Sequence, residues 1–198
     1  MIAAPLSESD LQGACGLYCG LCPRNQAPAA SRCPGCQLGD QHSYCSVWRC
    51  AVKTHGYLTC AECDDYPCGR LKRCIGEGAD SFISHRPAYS NLERIRDTGL
   101  DQQLASAKVR RQLVEELMAR YNDGRSMSFF CVAGALLPPE TIHQALAEVD
   151  ESIRQGHVDG SDLKARARAM RRTLEELARE SGVELALRHA PAAAKRQT

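Results

Sequence analysis

Apolar residues recur every three or four positions along the second half of the chain and thin out along the first third. That contrast sets the elements to expect. Between Leu104 and Tyr121, the positions Val109, Leu113, Leu117 and Tyr121, widened by Val114 and Met118, trace one helix face that Asn122-Asp123-Gly124 ends. Pro139 suits the first position of a further helix, whose stripe is Ile142, Leu146, Val149 and Ile153 before Gly156. A last helix follows Ser161 as N-cap, with Leu163, Ala167, Met170, Leu174 and Leu177 on one side and Gly182 at its end. The apolar run Met127 to Leu137 has no readable period, and its Ala and Leu content favours helix over strand. Asn91 to Asp97 predicts a short helix closed by Gly99 in the left-handed conformation. Alternation at Val183, Leu185 and Leu187 predicts a short strand, and residues 190–198 read as a frayed tail. Stripes of this kind close on one another, on the preceding region or on another protein, and plain core is the favoured reading.

The first third follows different rules. Residues 1–14 read as a loose lead with at most one turn, started by Ser7 or Ser9. From Cys15 to Cys74 the chain carries eleven of its twelve cysteines, only seven Leu or Val, and no Ile, Met or Phe. So little aliphatic surface does not offset the entropy of ordering a chain. Gly16, Gly20, Pro23, Pro28, Pro34, Gly35, Gly39, Pro67 and Gly69 leave room only for knuckles and single turns. Gly76-Glu77-Gly78 reads as a connector and Pro87 as a further break.

Composition changes the picture in one respect. Net charge is +1, and residues 1–74 carry seven basic against six acidic groups, so no long-range field points to nucleic acid or an anionic membrane. The N-terminus lacks the basic start and apolar core of a secretory signal, and the run Phe129 to Leu137 is too short to span a bilayer. A cytoplasmic location is the expectation. In a reducing compartment clustered cysteines point to metal rather than to disulfides.

Short Cys-x2-Cys steps let two sulfurs of one tight turn reach the same ion, and two such steps complete a tetrahedron. Cys19, Cys22, Cys33 and Cys36 make one plausible four-thiolate set; Cys45, Cys50, Cys60 and Cys63 make another. The partition is not unique. Cys15 or Cys68 can displace one of the eight, Cys74 is left over, and His42 or His55 can supply nitrogen. Zinc is favoured over an iron–sulfur cluster, although thiolates alone do not separate the two. The run CGLYCGLC also has the Cys-x3-Cys-x2-Cys spacing of radical S-adenosylmethionine enzymes, but no strand–helix alternation follows it. Arg24, Arg32, Arg49, Lys53, Arg70, Lys72 and Arg73 stand ready to offset thiolate charge.

The remaining candidates read as structural. Cys131 is a small hydrophobe within FFCVAGALL, and His85 and His143 are solvated or hydrogen-bonded. The five basic residues between Lys164 and Arg172 read as a solvated helix face, making nucleic acid an unlikely partner while a protein partner stays open.

The segments CGLYCGLCP, CPGC, CSVWRCAVKTHG and CAECDDYPC resemble the prokaryotic cysteine-rich family grouped as domain of unknown function 3795. SNLERIRDTGL, NDGRSMSFFCVAGALLP and LEELARESGVELALR are similar to its longer members. The resemblance implies ten ligand candidates: Cys15, Cys19, Cys22, Cys33, Cys36, Cys45, Cys50, Cys60, Cys63 and Cys68. The spacer between Cys22 and Cys33 is shorter than in many members, Cys74 lies outside the pattern, and the likeness supplies no activity.

The expectation is therefore a mainly α protein. An irregular cysteine-rich metal-binding module over residues 10–75 packs on a small helical domain over residues 76–190. It holds zinc, or alternatively an iron–sulfur cluster, and acts as a binding or regulatory module; the residues do not decide whether it is an enzyme.

Overall fold

The computed structural model describes residues 11–28, 32–36, 43–76 and 78–189. Five long helices follow a cysteine-rich region of short turns, and no strand occurs among the described residues. The N-terminal region contains a 3-10 turn at Cys19–Leu21, α1 (Pro23–Gln26), α2 (Ser46–Trp48) continuing into a π-helical stretch at Arg49–Thr54, a second 3-10 turn at Cys60–Glu62, and α3 (Gly69–Ile75). Then come α4 (Ala88–Thr98), α5 (Leu100–Tyr121), α6 (Met127–Leu136), α7 (Pro139–Arg154) and α8 (Leu163–Glu180).

Helix α5 is the spine. Its 22 residues span about 33 Å at 1.5 Å per residue, and it touches α4, α6, α7, α8 and the Cys19–Leu21 turn. Leu113, Leu117 and Tyr121 bury themselves against Phe129, Phe130 and Ala133 of α6, Ile142, Leu146 and Val149 of α7, and Met170, Leu174 and Leu177 of α8. Val109 departs from the expected stripe and is 43% exposed, while Leu104 and Ala107 on the other side of the helix are buried. The stripe is displaced because the upper half of α5 meets the cysteine-rich region rather than α8. At Gly134 a Cβ would stand 2.2 Å from Val114 Cγ2, so α5 and α6 approach closely only because this residue is glycine. Arg110 Nη1 donates to the carbonyls of Gly134 (2.8 Å) and Leu137 (2.6 Å), satisfying acceptors at the C-terminal end of α6 that have no partner within the helix.

Local signals set most helix ends. Gly99, at φ +91°, closes α4, and Pro139 opens α7. Helix α8 is capped by Asp162 and not by Ser161: Asp162 Oδ1 accepts from the Lys164 N–H at 2.8 Å, while the Ser161 hydroxyl turns back to Asp159. Leu163, placed on the buried stripe by its spacing, is 39% exposed.

The expected strand at residues 183–187 does not form. Val183 and Leu185 pack on the helical core, and the segment ends in a tether to the linker before α4. The Asp80 N–H donates to the Arg188 carbonyl (2.9 Å), the Arg188 N–H donates to Asp80 Oδ2 (2.9 Å), and the guanidinium reaches Asp80 Oδ1 at 2.9 Å. Without a neighbouring strand, the alternating pattern serves only to put two side chains into the core.

Residues 11–14 are also not a loose lead. All four are buried, Leu11 joins Tyr18, Leu21, Leu104 and Val114, and Gln12 accepts a bond from Gln103 Nε2 at 3.1 Å. The possible turn at Ser7 or Ser9, the connector residue Glu77 and the tail 190–198 lie outside the described residues. No helix among the described residues is long and apolar enough to cross a membrane.

Candidate metal centre

The cysteine-rich region is held on the helices from Gly16. This residue has φ +88°, and a Cβ on it would stand 2.2 Å from the Ala88 carbonyl oxygen. Only glycine permits both the left-handed turn and the close approach. Asn91 Nδ2 then donates to the Gly16 carbonyl at 2.9 Å, and both groups are buried. This fixes the CGLYC loop on α4 and turns its sulfurs towards the remaining cysteines.

Short-range bonds shape each step. The Cys22 N–H donates to the Cys19 carbonyl (3.1 Å), which closes the first Cys-x2-Cys turn. Asn25, itself buried, donates from Nδ2 to the Cys33 carbonyl (2.8 Å) and the Cys33 N–H donates to the Arg24 carbonyl (2.9 Å), so Cys33 returns to Cys22. In the second Cys-x2-Cys step, the Thr59 N–H donates to Glu62 Oε1 (2.8 Å) and the Cys63 N–H to the Cys60 carbonyl (3.3 Å). The Cys60 N–H donates to the Ala14 carbonyl at 2.8 Å, which ties the two halves of the region together.

All twelve cysteines are thiols; none is in a disulfide. Ten of the eleven in the N-terminal region are buried or partly buried, and Cys74 is exposed. Among the described residues, no three His, Cys, Asp or Glu side chains are drawn together as a closed metal site. The sulfurs instead line two cavities.

The smaller cavity, about 30 Å³, is lined by Cys50, Cys60, Cys63 and Cys68, with His55, Tyr66 and Arg70 beside them. A single water needs roughly 10–15 Å³ by this measure, so the space is small, on the order of two waters. The larger cavity, about 340 Å³, is lined by Cys15, Cys19, Cys22, Cys33, Cys36, Cys45 and Cys74. Cys45 and Cys50, consecutive cysteines separated by four residues, thus face different cavities. Cys45 is the N-cap of α2, Cys50 lies in the π-helical stretch beyond, and a helical turn separates them. Cys68 instead completes the smaller set because it is the N-cap of α3.

The electrostatics describe buried thiols crowded by one another, with Arg24 offsetting part of the effect at Cys22. Burial, then the neighbouring Cys68, Cys50 and Cys63, pushes Cys60 up to about 12. Burial likewise raises Cys15, and Cys36 and Cys45 add to it. Cys19 and Cys36 shift in opposite directions: hydrogen bonding to Cys36 raises Cys19, and the same bond lowers Cys36. Their sulfurs also crowd one point independently of any proton, since a Cβ on Gly13 would stand 3.1 Å from Cys19 Sγ and 3.4 Å from Cys36 Sγ. Cys74 is raised chiefly by the neighbouring Cys45 thiol. A divalent cation reverses this balance, because a coordinated thiol gives up its proton.

The other candidates are accounted for locally. His55 stacks on Tyr57 at 5.3 Å, and His42 lies outside the described residues. Buried His85 has Nε2 3.0 Å from the Ser81 hydroxyl and accepts from the Ser81 N–H at 3.3 Å; burial lowers its pKa. Cys131 is fully buried in α6, which pushes it up to about 12. Arg168, Arg171 and Arg172 of the basic stretch pair with Asp162, Glu175 and Glu176 along α8. Of the basic residues near the thiols, Arg24 lies 5.0 Å over the Phe82 ring and Lys53 lies 5.2 Å over Trp48. Cys74 had no short Cys-x-Cys step to announce it; only the packing of α3 on α2 brings it to Cys45. The chain matches no family model, no curated protein and no protein of solved structure.

Proposed function

We propose that the protein is a zinc–thiolate metalloprotein of a reducing, cytoplasmic environment, acting through binding or regulation, whose N-terminal region is held in shape by metal. The smaller cavity supports this reading: Cys50, Cys60, Cys63 and Cys68 line it together, with His55 beside them. Four thiolates fill the coordination sphere of zinc and leave no position for a substrate, which is the pattern of a structural rather than a catalytic centre. The resemblance to the cysteine-rich family named above includes all four residues. Their free thiol state supports coordination over disulfide formation.

Metal analysis of an anaerobic preparation tests the reading, and the expected result is a colourless protein containing zinc. Chelation is expected to lower the melting temperature and to reduce the far-UV signal, because binding energy in such centres is folding energy. A chelated protein with both properties unchanged would defeat the proposal. The second reading, an iron–sulfur protein with redox or enzymatic activity, draws on the size of the larger cavity. Brown colour with acid-labile sulfide would establish it in place of zinc.

A further inference from the structure

We propose that residues 183–189 form a strap that holds one wall of the larger cavity in place, and that its release opens the thiols there to small solutes. The inference goes beyond the metal reading and does not depend on what the thiols hold.

The wall in question is the linker before α4. Ser81, Phe82, Ile83 and His85 line the larger cavity together with the cysteines. The linker belongs to no helix, so side-chain bonds must set its shape. Asp80 Oδ1 accepts from the His85 N–H at 2.9 Å. His85 Nε2 in turn accepts from the Ser81 N–H at 3.3 Å and lies 3.0 Å from the Ser81 hydroxyl. These bonds close residues 80–85 into one turn built on the Asp80 carboxylate.

The strap grips that same carboxylate. The Arg188 N–H reaches Oδ2 at 2.9 Å, and the guanidinium reaches Oδ1 through Nε at 3.1 Å and Nη2 at 2.9 Å. The Asp80 N–H donates back to the Arg188 carbonyl at 2.9 Å, and Arg86 Nη2 donates to the Ala186 carbonyl at 2.6 Å. The Asp80 side chain is fully buried. Stripped of its guanidinium, a buried carboxylate is costly, and moving it into water relieves that cost. Releasing the strap therefore pulls the turn apart at its centre.

The two ends of this connection differ in firmness. On the strap itself only Val183 and Leu185 pack on the helical core, which makes it a segment that opens at low cost. The linker, by contrast, is joined to the cysteine-rich region. Ile83 is buried in the cluster that includes Leu11, Tyr18 and Leu21, and Arg24 lies 5.0 Å over the Phe82 ring. Movement of the linker is thus felt at the cavity.

Trp48 reports on it. It is the single tryptophan of the chain, lines the same cavity and is 4% exposed. In the full chain, Arg188→Ala is expected to raise acrylamide quenching of Trp48 about fivefold, and Arg86→Ala to raise it by less. Iodoacetamide labelling mapped by mass spectrometry is expected to speed up at the larger cavity's cysteines and not at Cys50, Cys60, Cys63 and Cys68. Ile142→Ala weakens the helical core but removes none of the strap's bonds, and it should leave quenching in the folded chain unchanged.

Unchanged quenching in Arg188→Ala overturns the inference, as does labelling with no preference for the larger cavity. An equal rise in Ile142→Ala would also overturn it, since general loosening would then be the cause. If Arg188→Ala does not fold, Arg86→Ala decides by the same readout. None of these results bears on whether the chain binds zinc.

Discussion

The helical region and the cysteine-rich region have different interiors. Sixteen buried residues between Leu113 and Ala178 form one cluster drawn entirely from α5, α6, α7, α8 and the loops between them. Among the described residues, the cysteine-rich region has no such cluster of its own. Leu11, Tyr18 and Leu21 are buried against Leu104, Ala107, Val114 and Ala135, and Val47, Ala61, Leu71 and Ile75 against Ala88, Leu92 and Ile95. Several of its thiols, Cys15, Cys45, Cys60 and Cys68 among them, pack against these shared clusters as well as lining the two cavities. The lesson concerns what each region needs from outside. The cluster of α5 to α8 is built from those helices alone, whereas α4 and the first half of α5 share their buried surface with the thiol-lined region, which on the proposed reading also requires metal.

The largest expected effect separates the two directly. Chelation should remove about 10 kcal/mol of stabilisation per structural ion. Hydrogen exchange should then show amides of residues 43–76 losing protection while those of α7 and α8 keep theirs. Uniform loss would make the two regions one cooperative unit, and uniform retention would remove the metal from the account.

Leu174→Ala reverses the experiment. Leu174 is fully buried in the helical cluster, and its truncation should cost about 3 kcal/mol whether or not metal is bound. Denaturant titration with and without chelator checks this; a cost that depends on metal would contradict it.

Gly16→Ala acts on the junction. A Cβ there meets the Ala88 carbonyl oxygen at 2.2 Å in a left-handed backbone, and the expected loss is about 2 kcal/mol. It should appear in the cysteine-rich region as weaker metal retention in a chelator competition, with the α7–α8 pair unaffected.

The smallest effect is at the tether. Asp80 is buried; burial raises its carboxyl, but the N–H groups of Arg188 and His85 and the Arg188 guanidinium outweigh this and hold it below the usual carboxylate range. A pKa depressed in the folded chain gives stabilisation that is complete above the unfolded value, near 3.9, and lost as the pH falls through the folded value. Asp80→Asn should cost about 1 kcal/mol at neutral pH and abolish this acid dependence. The readout is proton chemical shifts of residues 183–189 against pH. A variant that titrates like the wild type would remove Asp80 from the tether.

The sequence determined the helices because their signals are local. The spacing of Ile142, Leu146 and Val149, the proline at 139 and the glycine at 99 each act within one or two turns, and α4, α5, α7 and α8 follow from such signals, whereas α6 had only its Ala and Leu content to mark it. It also determined that the first third carries thiols in place of aliphatic core. Where local signals compete, the fold decided: Asp162 caps α8 in preference to Ser161, and residues 183–189 tie to Asp80 in place of pairing as a strand.

Only the tertiary structure decided which thiols share a cavity. Cys45 and Cys50 part company across one helical turn, and Cys74 joins Cys45 because α3 packs on α2. Likewise Gly16 meets α4 from 75 residues away through Asn91. Contacts of this kind depend on how distant segments meet, and the spacing of cysteines along the chain carries no record of it.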